Sequence, residues 1–390
     1  MISKDHHGEE NLRAFIADAQ RIVIKIGSRV LVKRTGRPDL ERIKHLVSEI
    51  ARLRKAGKEV VVVSSGAIAA GVEALGLKTR PKNLPELQMA AAVGQVRLMT
   101  VYDKLFAREG CRIGQVLLTH ADLQNRSRHL NGRNTMMTLL RAGIIPIINE
   151  NDVVAVDEIK FGDNDILASL VTILIDGDLL MLLSTTDGLQ APMGNGKTGR
   201  VSYIPSVTEE SLSLAIGKGS EFSSGGMASK LRSAQMAVDV GAMVVIVDGR
   251  ETGAIRDVIA GNDVGTLIAP PGSGKMSSLS RRKRWIAFFH RSQGGVTIDE
   301  GAQRAIEKLG KSLLPIGVRG VEGEFPKGAL VNIRALDGEL IGRGLVGYSS
   351  EDIKRIQGKK STELTGIPGS GDYVEVIHRD NMVVLKGSAR

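Results

Sequence analysis

A single cysteine in 390 residues excludes an intramolecular disulfide. That residue, Cys111, opens the apolar run Cys-Arg-Ile-Gly-Gln-Val-Leu-Leu, so a buried, inert thiol is expected; nucleophilic catalysis would need a histidine partner that no motif supplies. Aromatic side chains make up only 3% of the chain, which argues against the stacking platforms that bind single-stranded RNA. No stretch approaches the ~18 consecutive apolar residues of a membrane-spanning helix. The opening segment, Met1–Phe15, mixes charged and polar residues and has no apolar signal-peptide core. The expectation is a cytoplasmic protein with no membrane partner. A phosphate-binding P-loop is also missing: Gly272-Ser-Gly-Lys275 resembles its end, but Ala269 and Met276 stand where the pattern needs Gly and Ser or Thr.

The length suffices for two domains and one large core. Hydrophobic residues at 42% and charged residues at 25% are ordinary for a globular chain, and 46 glycines imply many turns or close ligand approaches. The formal net charge of +10 is uneven: from Lys275 to Arg390 there are 20 Lys and Arg against 13 Asp and Glu, leaving 33 against 30 before it. That basic final third suits either an acidic partner or a solvated face with no partner.

Short apolar runs alternate with helical patterns over the first two thirds. Strands are predicted over Arg21–Ile26, Glu59–Val63, Ile113–Leu118, Ile144–Asn149, Leu179–Leu183 and Met243–Val247. Helices are predicted over Asp39–Ala56, Leu84–Arg108, Arg128–Ala142 and Ile166–Ile175. Continuous Val/Ile/Leu strands separated by helices predict an α/β fold, a mainly parallel sheet sandwiched by helices. Ligands then bind beyond the carboxyl ends of the strands. The Pro-, Gly- and Ser-rich stretch ending in Arg281-Arg-Lys-Arg284 reads as a linker. Runs such as Ala329–Ala335, Leu340–Gly347 and Tyr373–His378 then predict a second, smaller, mostly-β domain. The expected divisions are 1–272, a linker at 273–293, and 294–390.

Four junctions between strand and helix concentrate chemistry. In Lys25-Ile-Gly-Ser28 a lysine at a strand end can reach a phosphate while bare backbone approaches it, or it can snorkel out of the sheet edge. In Ser64-Ser-Gly-Ala-Ile-Ala-Ala-Gly71 small residues open a helix, as anion binding or tight packing would each require. Ser65 lacks the G-x-S-x-G elbow of a hydrolase nucleophile. The third gathers Asn149, Glu150, Asn151, Asp152, Asp163, Asn164 and Asp165. Helix caps explain one or two of these; the rest suit recognition of an amino group and a carboxylate, and positioning of Mg²⁺ or of lysines. The fourth, Ser223-Ser-Gly-Gly-Met-Ala-Ser-Lys230, leads into a helix with a lysine one turn in. Two lysines on separate junctions match phosphoryl transfer, where negative charge builds on both the attacking and the leaving side.

In this order, with Ala92-Val-Gly-Gln95 added, the motifs resemble the amino-acid kinase family, and Gly27-Ser28 after Ile26 favours its glutamate-phosphorylating branch at the head of proline biosynthesis. The chain from about Gly294 through Leu314-Pro-Ile-Gly317 to His378-Arg-Asp380 resembles a PUA domain. The resemblance implies ATP and L-glutamate as substrates, with Mg²⁺ carried mainly by the ATP. It implies that Lys25 and Lys230 contact the phosphates, and that Asp163 and Asp165 orient these lysines or hold Mg²⁺. Ser65, Asp152 and Asn164 would bind glutamate. Lys25, Gly27, Ser184, Thr185 and the loop Ser224, Gly225, Gly226, Met227, Ala228, Ser229 and Lys230 would bind nucleotide. One departure stands out: Ser184-Thr185 replaces the family's usual Thr-Asp, which removes a carboxylate from the nucleotide site. A homo-oligomer, feedback inhibition by proline and hand-over of the product to glutamyl phosphate reductase are further implications. Rival expectations are a kinase of acetylglutamate, aspartate or carbamate, or an RNA-binding role for the basic last third. Trp285, Phe288 and Phe289 after the basic run fit such a role no better than an amphipathic linker.

Overall fold

The computed structural model describes residues 12–33, 35–155, 164–194, 197–216, 226–269, 292–359 and 375–385. The chain divides into two compact units, Met1–Ser277 and Ser278–Arg390.

The first unit is built on an eight-stranded sheet. Its strands are β1 (Arg21–Ile26), β2 (Glu59–Val63), β3 (Ile113–Leu118), β4 (Ile145–Glu150), β5 (Leu179–Ser184), β8 (Tyr203–Ile204), β9 (Met243–Asp248) and β10 (Thr266–Ile268). They lie in the order β3-β4-β2-β1-β5-β9-β10-β8. All neighbouring pairs from β3 across to β9 are parallel, and β10 runs antiparallel to β9. Sequences such as Glu-Val-Val-Val-Val in β2 and Leu-Leu-Met-Leu-Leu in β5 are apolar on both faces because helices cover both. β1 sits between β2 and β5, so its C-terminal end is central rather than at an edge.

The predicted strands of this unit are all present, five of them with bounds unchanged or one residue longer at the end. The helix Leu84–Arg108 begins where Asn83 accepts a hydrogen bond from the Glu86 amide. Sequence patterning missed the hairpin of β6 (Gln190–Gly194) and β7 (Lys197–Arg200), the helix Glu209–Ile216, and β8 and β10. Strands of two or three residues are too short to display a period, and Lys197–Arg200 carries no apolar face. Cys111 is half-buried rather than buried, and the partial burial pushes its thiol pKa up.

The second unit holds a five-stranded sheet in the order β12-β11-β13-β14-β15. The strands are β11 (Gly294–Ile298), β12 (Val318–Glu322), β13 (Leu330–Arg334), β14 (Leu340–Leu345) and β15 (Met382–Val384). Helices Glu300–Leu309 and Ser350–Ile356, which the apolar alternation did not reveal, contribute Ile306, Ile353 and Ile356 to its core. The strand expected over 373–378 is corrected where it is described: residues 375–378 pair only through a single bridge, Leu313 with Ile377. Val376 and Ile377 are fully buried, so their apolar pattern reports core packing rather than a ladder. The expected linker lies almost wholly outside the described residues, as do Gly272–Lys275 and the aromatic cluster behind the basic run. No helix among the described residues is long and apolar enough to cross a membrane.

Candidate active site

Lys25 is the fifth residue of β1, paired in register with Val63 on one side and Leu182 on the other. It does not snorkel to an edge. It is 5% exposed, and its Nζ lies 2.6 Å from Oδ1 of Asp165. Asp165 sits in the first turn of the helix Asn164–Leu174 and is 1% exposed. Its other oxygen, Oδ2, accepts a hydrogen bond from Lys230 Nζ at 2.9 Å. Lys230 projects from the helix Met227–Val238, whose N-terminus is formed by Gly226. The two helices are fastened together where Ser169 Oγ donates to the Ser233 carbonyl at 2.6 Å; within the second helix, Ser233 Oγ donates to the Lys230 carbonyl at 3.0 Å.

Burial by itself would raise the pKa of Asp165. The ammonium groups of Lys25 and Lys230 outweigh that effect and hold the carboxyl below the usual carboxylate range. The two ammonium groups and the carboxylate between them are shielded from water, where charge acts most strongly. Gly27 completes the cradle. Its N–H donates to the Leu183 carbonyl at 3.1 Å, and a Cβ there would stand 3.1 Å from that same oxygen and 3.8 Å from Lys25 Nζ.

Beside this trio lies a relay of amides. Asn164 Nδ2 faces the Ser64 carbonyl at 2.8 Å, Ser65 Oγ at 2.9 Å and Asn149 Oδ1 at 3.1 Å. Asn149 Oδ1 also accepts from the Glu150 amide at 2.9 Å, while Asn149 Nδ2 donates to Gln95 Oε1 at 2.8 Å. Under the relay, Ser64 Oγ and the Tyr102 hydroxyl are 2.9 Å apart. Gly66, at φ +97°, turns the chain from β2 into the helix Ala67–Ala74 and so places Ser65 at the helix entrance.

The structure thus draws together five of the expected residues: Lys25, Lys230 and Asp165 around one carboxylate, and Ser65 with Asn164 around one amide. Asp152 is half-buried in the turn after β4, followed by the exposed Val153 and Val154. Asp163, Ser224 and Gly225 lie outside the described residues. Gly226, Met227, Ala228 and Ser229 are half-buried ahead of Lys230. Both oxygens of Asp165 face ammonium groups, Oδ1 that of Lys25 and Oδ2 that of Lys230. Among the described residues no group of three or more His, Cys, Asp or Glu side chains is arranged to hold a metal ion.

Ser184 closes β5, and Thr185 follows it. The Ser184 carbonyl accepts from the Gly249 amide at 2.9 Å, and the Thr185 carbonyl accepts from Arg250 Nη2 at 2.7 Å. The carboxylate missing from this pair has a neighbour on the next strand: Asp248 is the register partner of Ser184. Its oxygens, however, accept from the Arg250 amide, Nε and Nη2. Burial would raise the Asp248 pKa, but this guanidinium wins and holds it low. Gln95, Asn149, Tyr102 and Arg250 were given no individual role by the sequence. Gln95 and Asn149 lay inside quoted motifs, but only the folded chain shows what they touch.

The model described as the amino acid kinase family matches residues 20–248, and that of the PUA domain matches residues 294–368. A glutamate 5-kinase of Moorella thermoacetica is 45% identical over 379 residues, spanning 97% of this chain and 99% of that protein. Proteins of the same name from Syntrophus aciditrophicus and Geobacter metallireducens are 44% and 46% identical, spanning 98% and 95% of this chain and 98% and 99% of those proteins.

Proposed function

The chain belongs to the amino acid kinase family, and on that premise we propose that it transfers the γ-phosphoryl group of ATP to the side-chain carboxylate of L-glutamate. The products are ADP and L-glutamyl 5-phosphate, the starting intermediate of proline biosynthesis. The observation that carries this reading is the convergence of Lys25 and Lys230 on the two oxygens of buried Asp165.

The attacking group needs no general base, since a carboxylate with a pKa near 4.3 is already ionised at neutral pH. What the site must supply is proximity and charge neutralisation, because donor and acceptor are both anions. Lys25 and Lys230 face different oxygens of Asp165; one ammonium group serves the attacking oxygens and the other the leaving oxygens. Asp165 keeps two like charges side by side without leaving either unpaired. Gly27 admits the phosphates against bare backbone, and Gly226–Ser229 ahead of Lys230 bind the nucleotide together with Ser184 and Thr185; Ser224 and Gly225, assigned the same role, lie outside the described residues. Asp163, outside the described residues, is assigned with Asp165 to orienting the lysines or holding Mg²⁺. The ATP brings Mg²⁺, which neutralises charge on its phosphates.

Acceptor binding falls to Ser65, Asp152 and Asn164. Ser65 Oγ accepts from Asn164, so its own hydroxyl hydrogen is available to a substrate carboxylate. With Asn164 Nδ2 engaged by protein acceptors, its Oδ1 is the atom that can accept from an α-ammonium group, alongside the Asp152 carboxylate. We assign residues 1–272 to catalysis, 273–293 to a linker and 294–390 to the PUA domain, in keeping with the two matched ranges and the division at Ser277. A homo-oligomer, inhibition by proline and a glutamyl phosphate reductase as the functional partner complete the proposal, in the cytoplasm and without RNA.

Hydroxylamine trapping tests it. With MgATP and separate glutamate, acetylglutamate and aspartate, a hydroxamate should form with glutamate alone. Formation with a different acid would move the substrate and keep the mechanism; formation with none would refute carboxylate phosphorylation.

A further inference from the structure

The relay that holds Asn164 is oriented by atoms whose roles chemistry leaves no choice about. A backbone carbonyl can only accept, so the Asn164 atom 2.8 Å from the Ser64 carbonyl is the amide nitrogen. A backbone amide can only donate, so the Asn149 atom 2.9 Å from the Glu150 nitrogen is the carbonyl oxygen. Asn149 Nδ2 then points the other way, and the Gln95 atom 2.8 Å from it must be Oε1. Gln95 is the last member of the chain Gln95–Asn149–Asn164–Ser65, and it touches neither lysine nor Asp165.

Asn149 is only 2% exposed, so its NH₂ group depends on Gln95 for the hydrogen bond that water cannot supply. Removing that acceptor gives Asn149 reason to rotate. Its Oδ1 would then leave Asn164, which shares its two amide hydrogens among three oxygens. Gln95 is itself held in place, because the next residue toward the N-terminus, Gly94, packs backbone against backbone on the neighbouring helix.

We propose that Gln95 is a positioning residue for the acceptor site: its Oε1 sets the Asn149 amide, which sets Asn164 so that Oδ1 faces the substrate ammonium group. The role requires an acceptor at position 95, not an amide as such. This rests on the assignment of Asn164 and Ser65 to acceptor binding.

Two variants test it, Gln95→Met, which keeps the length and removes the acceptor, and Gln95→Glu, which keeps an acceptor. With glutamate varied, Gln95→Met should raise KM roughly tenfold, the scale of one buried hydrogen bond. Its kcat should stay within about twofold and its KM for ATP should not change. Gln95→Glu should stay within about threefold of the unaltered protein in all three. Wild-type KM in Gln95→Met would overturn the proposal. So would Gln95→Glu being the worse variant, since that would mean the Gln95 NH₂ group meets the substrate directly. If the unaltered protein phosphorylates a different acid, the glutamate assignment fails, and the same comparison is made with that acid. The side-chain amide resonances of Asn149 and Asn164 give an activity-free readout in the full chain. Both pairs should shift in Gln95→Met and stay near their original positions in Gln95→Glu; unmoved resonances in Gln95→Met would refute the relay even if no acid is phosphorylated.

Discussion

The Cβ that Gly94 lacks would stand 1.7 Å from the carbonyl oxygen of Ala67. The reciprocal contact is equally close: a Cβ on Gly71 would lie 1.7 Å from the Ala90 carbonyl oxygen. The helices Ala67–Ala74 and Leu84–Arg108 therefore cross with no side chain between them. One helix begins just after Ser65 and the other carries Gln95, so the crossing sets the distance between two parts of the acceptor site.

Replacing glycine by alanine inside a helix ordinarily stabilises it by about 1 kcal/mol. Gly94→Ala should do the opposite, because backbone atoms block the added methyl and the helices must separate. A loss of roughly 1–3 kcal/mol or more is expected. The KM for glutamate should rise with it. Denaturant unfolding checks the sign: a Gly94→Ala protein as stable as its parent would contradict the crossing.

Lys25→Ala and Lys230→Ala should each lower turnover by roughly two to three orders of magnitude, the scale of one preorganised electrostatic contact. Single-turnover phosphoryl transfer measures this directly, and near-normal turnover in either variant would remove that lysine from the chemistry.

Asp165→Asn keeps the shape of the side chain and removes its charge. Two buried ammonium groups would then lose the carboxylate that lies between them, and breaking a buried pair costs about 3–5 kcal/mol. The expected outcome is a lower denaturation midpoint together with depressed kcat. A variant of unchanged stability would show that the lysines do not depend on Asp165.

Burial pushes the Tyr102 hydroxyl pKa up to about 12, against the smaller opposing effect of its hydrogen bond with Ser64. The folded state thus holds the proton more tightly than the unfolded chain, whose tyrosine titrates near 10. This contribution is complete below pH ~10 and is lost progressively as pH rises toward ~12. Tyr102→Phe should be less stable at neutral pH by about 1 kcal/mol, for the lost hydrogen bond, yet show a flatter decline above pH ~10. Parallel alkaline limbs in the two proteins would contradict the buried, neutral phenol.

The strands that form the centre of the sheet were legible because uninterrupted Val, Ile and Leu need cover on both faces. The helix Leu84–Arg108 was legible to the residue, since Asn83 caps it and Gly110 stops it in a left-handed turn. Which way Lys25 points was not legible. A lysine at the end of an apolar strand can reach solvent or a buried partner, and its partner here comes from a helix far along the chain. The polar cluster from Asn149 to Asp165 read as one constellation, but the fold gives it two jobs: Asp165 serves the lysines, while Asn149 and Asn164 serve the relay. Gln95 carried no periodicity signal, because its importance lies in one contact with Asn149. The short strands Tyr203–Ile204 and Thr266–Ile268 depend on strand neighbours, not on their own pattern.

Asp152→Ala should weaken glutamate binding, raising its KM while leaving that for ATP unchanged. Initial rates with each substrate varied separate the two, and a rise confined to ATP would move Asp152 to the nucleotide side.

The most direct test of the central claim, that a carboxylate oxygen attacks phosphorus, uses glutamate labelled with ¹⁸O in its side-chain carboxylate. Hydroxylamine attacks the acyl carbon of the product and breaks the C–O bond, so the released phosphate keeps the bridging oxygen. Phosphate carrying one ¹⁸O, seen as an isotope shift in its ³¹P resonance, is the predicted result. Unlabelled phosphate formed at the same rate as ADP would mean that water is the nucleophile, and would contradict the account.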